Sequence, residues 1–457
     1  MWRALCDIGH PYPCSGAVTC GENRLRMPSS RGGSPDRTDR KGWRTVNSIA
    51  AAHAPDVKIP LAHILTGAVA ALFGGLLLLW QGPALLRHPM GDFRTLALTH
   101  LFTLGWLAMT ITGATYQLVP VVLEVRLHSE RLARAGYPVL AIGVALMVAG
   151  FWAARLTLLI PGALLAAVAL LVYAGHMAVT ALPSPAHRMH RLFFLGATAY
   201  LTLVCILGGL MVAEFRWGFL HVDLLPAHVI AAILGWATLL AMGAAYKLTP
   251  MFALSHGHGE GAGTAVFALG ASGTLLLLVG AVLGWPASAT ALIGLPLLGA
   301  VVLFLRDQWL FFRSRYKPRL DVGLRLVVVA CGYLGLTALL GWADLAGLLR
   351  LPPAALVILA VLGWCGCLVG GQTYKIVPFL VWFHRYASQA GREKVPLLRE
   401  MYDERVAGVG MWGLAAAGLL LSAGTGAGIP WLLRLGALAW LGGYGALAYN
   451  LLQVLRA

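Results

Sequence analysis

The chain has 457 residues, of which 59% are hydrophobic and only 11% are charged, and its mean hydropathy is +0.77. A soluble domain carries about a quarter charged residues, so this composition excludes an ordinary soluble protein and indicates a polytopic membrane protein whose main partner is the lipid bilayer. The formal net charge is +16. We interpret this charge as a topology signal and not as a nucleic-acid-binding surface, because most of the basic residues lie between apolar segments.

Residues 1–58 differ in composition from the rest of the chain. They are rich in Arg, Ser, Gly and Pro and show no apolar period, so we expect a disordered, basic cytoplasmic tail. An alternative is a wrongly assigned start codon, in which case this stretch is not translated. No apolar core follows the early basic residues before residue 60, so we expect no signal peptide. Residues 59–457 are predicted to form one membrane domain.

Twelve apolar segments follow in chain order, each close to the length of about 20 residues that spans a bilayer as a helix. We therefore predict an all-α fold with twelve transmembrane helices. The predicted spans are 60–80, 96–119, 138–154, 157–180, 192–213, 226–249, 263–284, 287–305, 324–343, 354–380, 406–424 and 429–453.

A Gly-Trp pair, with Tyr eleven positions after the Gly and Pro four positions after the Tyr, occurs three times. The copies begin at Gly105, Gly235 and Gly363. Self-similarity at a nearly constant period indicates repeated structural units. We predict three pseudo-symmetric four-helix repeats, over about 60–182, 190–310 and 322–454, with the motif on the second helix of each repeat, which is span 2, 6 or 10.

Basic residues are concentrated in the loops that follow even-numbered spans. Because such residues stay on the cytoplasmic side, we expect both termini to be cytoplasmic and the protein to be integral to the cytoplasmic membrane. The residues that carry this prediction are Arg126, Arg131, Arg134, Arg188, Arg191, Arg306, Arg313, Arg315, Lys317, Arg319, Arg325, Arg385, Arg392, Lys394, Arg399 and Arg405.

Two histidines lie near the outer ends of motif-bearing spans. His100 stands five residues before Gly105, and His228 stands seven residues before Gly235. Span 10 has no histidine. Two residues turn a helix by about 200°, so the sequence leaves open whether the two rings face one site. Each ring either binds heme or a metal such as copper, or is hydrogen-bonded to a neighbouring helix or the wet interface. His221, in the outer loop before span 6, could extend a metal site.

A second variable position follows the motif Tyr near the inner end of each span. The pairs are Tyr116 with Gln117, Tyr246 with Lys247, and Tyr374 with Lys375. Either the lysines reach towards the headgroups, or these six residues line an inner polar cavity. The motif prolines are expected to end or kink their helices.

Several signatures are missing from the sequence. It has no phosphate-binding Walker loop, no dinucleotide fingerprint and no Cys-x-x-Cys-His for covalent heme. No nucleophile–base–acid constellation stands out, so whether the protein is an enzyme stays open. Acidic residues within the predicted spans are nearly absent, which weakens the hypothesis of a proton-coupled transporter.

Twelve helices in three arcs of four, with His100-Leu-Phe-Thr-Leu-Gly-Trp106 in span 2, resemble subunit I of the heme–copper oxidases over about residues 60–454. The resemblance implies that His100 corresponds to a ligand of the low-spin heme and that His228 is the nearest candidate for a copper ligand. The family's histidines on span 10 and between spans 7 and 8 are missing here. As a twelve-span chain that diverges from the oxidases, it is similar to NnrS-type membrane proteins, which are linked to heme, copper and nitric oxide stress.

Two hypotheses from different classes follow. The first is a heme- or copper-binding membrane protein in respiratory or nitric oxide-related physiology, with respiratory or redox partner proteins and without full oxygen-reductase centres. The second is a cofactor-free transporter, channel or assembly factor on the same scaffold, in which the Tyr–Lys pairs matter more than the histidines.

Overall fold

A computed structural model describes residues 55–85, 90–184, 188–219, 222–256 and 261–457. The predicted tail lies almost wholly outside these residues. The described residues form twelve long helices and no β-strand, which confirms the all-α prediction. They are α1 (Lys58–Leu85), α2 (Phe93–Leu123), α3 (Glu130–Trp152), α4 (Leu156–Ala181), α5 (Arg188–Trp217), α6 (Leu225–Ala253), α7 (Gly261–Leu283), α8 (Ala287–Arg313), α9 (Val322–Leu345), α10 (Pro353–Tyr386), α11 (Glu404–Ala427) and α12 (Pro430–Arg456).

The helices have the length and composition of membrane spans. In the described part of the chain, eleven of them, α1 to α11, are long and apolar enough to cross a bilayer. Each predicted span falls largely on one helix, but several helices continue beyond the apolar stretch. The clearest case is α8, which continues past the predicted end at residue 305 to Arg313. The chain is therefore an integral membrane protein.

The two ends of the bundle differ in charge. Most of the loop arginines lie at one end of the bundle, which we call the basic end. The even-numbered helices terminate there, and the odd-numbered helices start there. Contacts there join the termini of different helices: Ser184 Oγ donates to the carbonyl of Leu123 at 2.7 Å, and Arg134 pairs with Asp56 at 3.5 Å. The other end is called the opposite end.

The three motif helices α2, α6 and α10 are the most buried of the bundle. In their most apolar windows, 78%, 67% and 67% of the residues are buried, compared with 28–44% in the other eight helices that qualify as spans. The outer helices follow one another around them, and α12 closes the circle against α1, where Trp440 Nε1 donates to the carbonyl of Ala71 at 2.9 Å. The motif copies thus lie in the interior, away from lipid.

Each Gly-Trp pair lies in a π-helical segment. These segments are Leu101–Ala108 in α2, Ala231–Thr238 in α6 and Leu359–Cys365 in α10. A π-helix is rare, and it often marks a functional site because its wider turn re-aims the side chains around it. A side chain on Gly235 would overlap the ring of Tyr200, and one on Gly363 would overlap Tyr333. Glycine there lets an aromatic ring of the preceding helix pack against the backbone.

The motif prolines lie inside helices in all three copies. In α2 and α6 the helix ends soon after the Pro, at a residue in the left-handed conformation, Glu124 or Leu254, whose N–H donates to the carbonyl of Pro120 or Pro250. In α10 the helix continues past Pro378 to Tyr386. The prolines therefore precede the helix end in two copies, and in α10 the helix continues for eight residues after Pro378.

Candidate functional site

His100 lies at the opposite end of the bundle, on the last α-helical turn before the π-helical segment of α2. Its Nδ1 donates to the carbonyl of Leu96, one turn earlier, at 2.8 Å. Its ring stacks on Phe151 of α3, with centroids 5.1 Å apart and an interplanar angle of 22°. Phe215 of α5 packs edge-on against Phe151 at 6.4 Å. The imidazole is therefore held in one orientation within an aromatic pocket.

His228 lies in the first turn of α6, at the same end of the bundle. Its ring packs against α5, where a Cβ on Gly208 would lie 3.1 Å from His228 Cε1. Its Nδ1 is buried and has no hydrogen-bond partner. The ring also has a hydrogen bond to the backbone of Val204 in α5, so Nδ1 is the one ring nitrogen that a ligand could still satisfy.

His100 packs through Phe151 against Phe215 of α5, and His228 packs against Gly208 of the same helix. Both rings therefore lie on the α5 side at the opposite end of the bundle, although their registers in the motif differ by two residues. His221 lies outside the described residues. Among the described residues, no group of three or more His, Cys, Asp or Glu side chains is arranged to hold a metal.

The α10 helix contributes no histidine at this level. In the register of the motif, Ile358 stands where α2 has His100, and Leu356 stands where α6 has His228. The pair is therefore confined to α2 and α6. Sequence reasoning did not identify Phe151 and Phe215, which are far from His100 along the chain and carry no motif.

At the basic end, each motif Tyr contacts a polar residue near the end of an outer helix. Tyr246 OH donates to Asp307 of α8 at 2.7 Å, and Asn450 of α12 donates to Tyr374 OH at 3.3 Å. The ring of Tyr116 lies 5.7 Å from that of His176 in α4. Asp307 was missed by the sequence analysis because it lies beyond the apolar stretch of its span, yet it is only 6% exposed.

The variable position after the motif Tyr has a different environment in each copy. Gln117 is buried, and its Oε1 has no hydrogen-bond partner. Lys375 forms an ion pair with Asp321, the residue that precedes α9, and Lys317 pairs with the same carboxylate oxygen at 2.5 Å. Lys247 is half-buried and forms no ion pair with any described residue.

A central cavity lies between α2, α6 and α10 on the basic side of the π-helical segments. Its walls come from the positions 2, 5, 6, 9, 10 and 13 residues after the Gly of each motif, together with Ile64 of α1. In α2 these positions are Leu107, Thr110, Ile111, Ala114, Thr115 and Leu118. None of the six residues predicted to form an inner polar cavity lines this space. No pattern in the sequence predicted an apolar cavity here.

Comparison with known proteins does not place the chain in a family. No protein-family model matches it, and no curated protein shows significant similarity to it.

Proposed function

We propose that this protein binds copper or heme iron through His100 and His228, and that it is a divergent relative of heme–copper oxidase subunit I without full oxygen-reductase centres. It would act in respiratory or nitric oxide-related physiology in the cytoplasmic membrane, with both termini cytoplasmic. The observation that carries the proposal is that two half-buried imidazoles, His100 of α2 and His228 of α6, lie at the same end of the bundle and both pack towards α5.

The hydrogen bond of His100 supports a role as a ligand. A carbonyl oxygen can only accept, so Nδ1 of His100 carries the proton that is donated to Leu96. In the neutral ring, Nε2 then keeps its lone pair. Metal-binding histidines commonly donate their other ring N–H to a carbonyl, which fixes the tautomer and the ring orientation. His228, with a buried Nδ1 that lacks a partner, can complete the pair.

The donor set suits copper better than a bis-histidine heme. Imidazole is a good ligand for copper, and two neutral ligands in an apolar pocket favour an ion of low charge, because burying charge is costly. Cuprous copper accepts two-coordinate binding by imidazoles. A heme of the oxidase type takes an axial histidine from α10, where Leu356 and Ile358 stand here. His100 alone could supply one axial ligand to heme iron. A bound copper or heme iron would supply one-electron chemistry.

We also infer that the bundle consists of three four-helix repeats. Three π-helical segments at the three motif copies support this, as does the central cavity, to which each motif helix contributes the same six positions. In this arrangement α2, α6 and α10 are the second helices of their repeats.

The test is metal analysis of the detergent-purified protein, together with optical spectra of the oxidised and dithionite-reduced forms. Near-stoichiometric copper or heme is expected. His100→Ala and His228→Ala should each lower the occupancy by roughly tenfold or more, because changes even in groups that only support a ligand cost 10–100-fold in affinity. His63→Ala is the matched control, since His63 on α1 has the same Nδ1 bond to a carbonyl, Ile59 at 2.8 Å, but lies at the basic end.

A Soret band that disappears in His100→Ala would identify heme, whereas copper without a Soret band would identify a copper site. Full occupancy in both histidine variants would show that the ligands lie elsewhere. A protein that contains neither heme nor metal, and takes up neither when supplied, would contradict the proposal and favour the cofactor-free transporter or assembly factor.

A further inference from the structure

The central cavity has an almost entirely apolar wall. Its lining positions recur at intervals of three and four residues, which is one face of a helix, and most of them carry Leu, Ile, Val or Ala. Two of the three threonine hydroxyls in the wall are bonded elsewhere: Thr115 Oγ1 bonds to the carbonyl of Ile111 at 2.8 Å and to Tyr173 OH at 2.6 Å, and Thr373 Oγ1 donates to the carbonyl of Val369 at 2.7 Å. The space is therefore bounded mainly by carbon.

Alanines on two of the three helices leave this space open. At the ninth position after the motif Gly, α2 and α6 carry Ala114 and Ala244, whereas α10 carries the longer Gln372. Ala114 and Ala244 are half-buried although their helices form the interior of the bundle, because the cavity lies beside them. The Oε1 of Gln372 is buried and has no hydrogen-bond partner, so this amide is a polar group in an otherwise largely apolar wall.

The size and chemistry of the cavity restrict its occupant. Its volume is about 90 Å³, compared with about 150 Å³ for an apolar protein cavity that stays dry and binds benzene or xenon. Water needs two to four polar partners, and an ion needs charge or oxygen ligands, whereas the accessible surface of this wall is almost entirely carbon. An acyl chain is too large. Only a small uncharged molecule fits these constraints.

We propose that the central cavity is a binding site for a small apolar molecule, smaller than benzene, held between α2, α6 and α10. This site is separate from the histidine pair. His100 lies seven residues before the first cavity position of α2, which corresponds to on the order of 10 Å along a helix. The proposal therefore does not depend on metal binding, and each can fail while the other holds.

The test is crystallography of the full-length protein under xenon pressure, since xenon is an apolar atom with a strong anomalous signal. An anomalous peak is expected in the centre of the wild-type bundle. Ala244→Leu, which fills the cavity, should remove the peak. Ala268→Leu, the same change at an exposed position of α7, should leave it. Leu240→Ala enlarges the cavity and should raise the xenon occupancy. This second variant tests the proposal even if Ala244→Leu does not fold.

A wild-type protein without a central xenon peak, or one with ordered water or an acyl chain in the cavity, would overturn the proposal. The same conclusion would follow if the peak in Ala244→Leu were as strong as in the wild type.

Discussion

Replacing Gly162 by alanine is expected to destabilise the protein by about 2 kcal/mol or more, because overpacking costs typically 1–3 kcal/mol. Gly162 lies on α4, where an added Cβ would approach the backbone Cα of Met147 on α3 to 2.8 Å. Backbone atoms cannot rotate away as a side chain can. Alanine favours a helix over glycine by up to about 1 kcal/mol, which offsets only part of this cost.

The same contact is built from glycines on both helices. A Cβ on Gly143 would lie 2.5 Å from the backbone nitrogen of Ala166, and one on Gly150 would lie 2.6 Å from Cα of Leu159. Small residues at such positions let two membrane helices approach closely, so that van der Waals packing holds them together. A methyl group at Gly162 therefore forces α3 and α4 apart along a contact that several glycines share.

The measurement is thermal or denaturant unfolding of the variants in one detergent. Gly175→Ala on the same helix is the matched control: nothing lies within 4 Å of its added Cβ, so its stability should equal or slightly exceed that of the wild type. Equal stability of the Gly162 and Gly175 variants would contradict the close α3–α4 contact.

The spans were predictable because hydrophobicity alone determines where a membrane helix can lie. The motif helices carry several glycines, and small residues let membrane helices pack closely, so their interior position agrees with their sequences. The π-helical segments were not predictable. A stretch such as Leu101–Ala108 carries no local pattern that distinguishes a π-helix from an α-helix. Its Trp106 packs against Trp440, with centroids 4.9 Å apart. That contact joins residues from opposite ends of the chain.

At the histidine site, the sequence identified His100 and His228 because a polar ring in an apolar segment is conspicuous. Whether the two rings meet depends on how α2 and α6 are placed against each other, which no local pattern contains. At the basic end, Lys375 was interpreted either as reaching towards the headgroups or as lining a polar cavity. Its actual partner, Asp321, lies before span 9, in a loop that the sequence marks only as basic.

Asp321→Asn is the second change with a large expected effect. The Asp321 carboxylate pairs with Lys317 and Lys375, and its Oδ1 accepts from the Leu324 N–H at the start of α9 at 3.1 Å. Asp321 and Lys375 are each 16% exposed. Removing one partner of a buried ion pair costs about 3–5 kcal/mol, and here the change leaves two ammonium groups facing each other. The prediction is a loss of about 3 kcal/mol of unfolding free energy at pH 7.

The effect should depend on pH in a defined direction. Burial alone raises the pKa of Asp321, but Lys375 and Lys317 outweigh burial and lower this pKa below its ordinary value of 3.8. A lowered folded-state pKa gives stabilisation that is present above the unfolded-state pKa and is lost as pH falls through the folded-state value. The stability difference between wild type and Asp321→Asn should therefore be constant from pH 7 to about pH 5 and shrink below about pH 4.

Lys247→Met is the matched control for Lys375→Met, because the two lysines occupy the same motif position and only Lys375 is paired with a carboxylate among the described residues. Unfolding in detergent should show a clear loss of stability for Lys375→Met, since it leaves Asp321 with one cation, and little change for Lys247→Met. If both variants lost the same stability, or if Asp321→Asn were as stable as the wild type at pH 7, the buried ion pair would not stabilise the packing of α9 against α10.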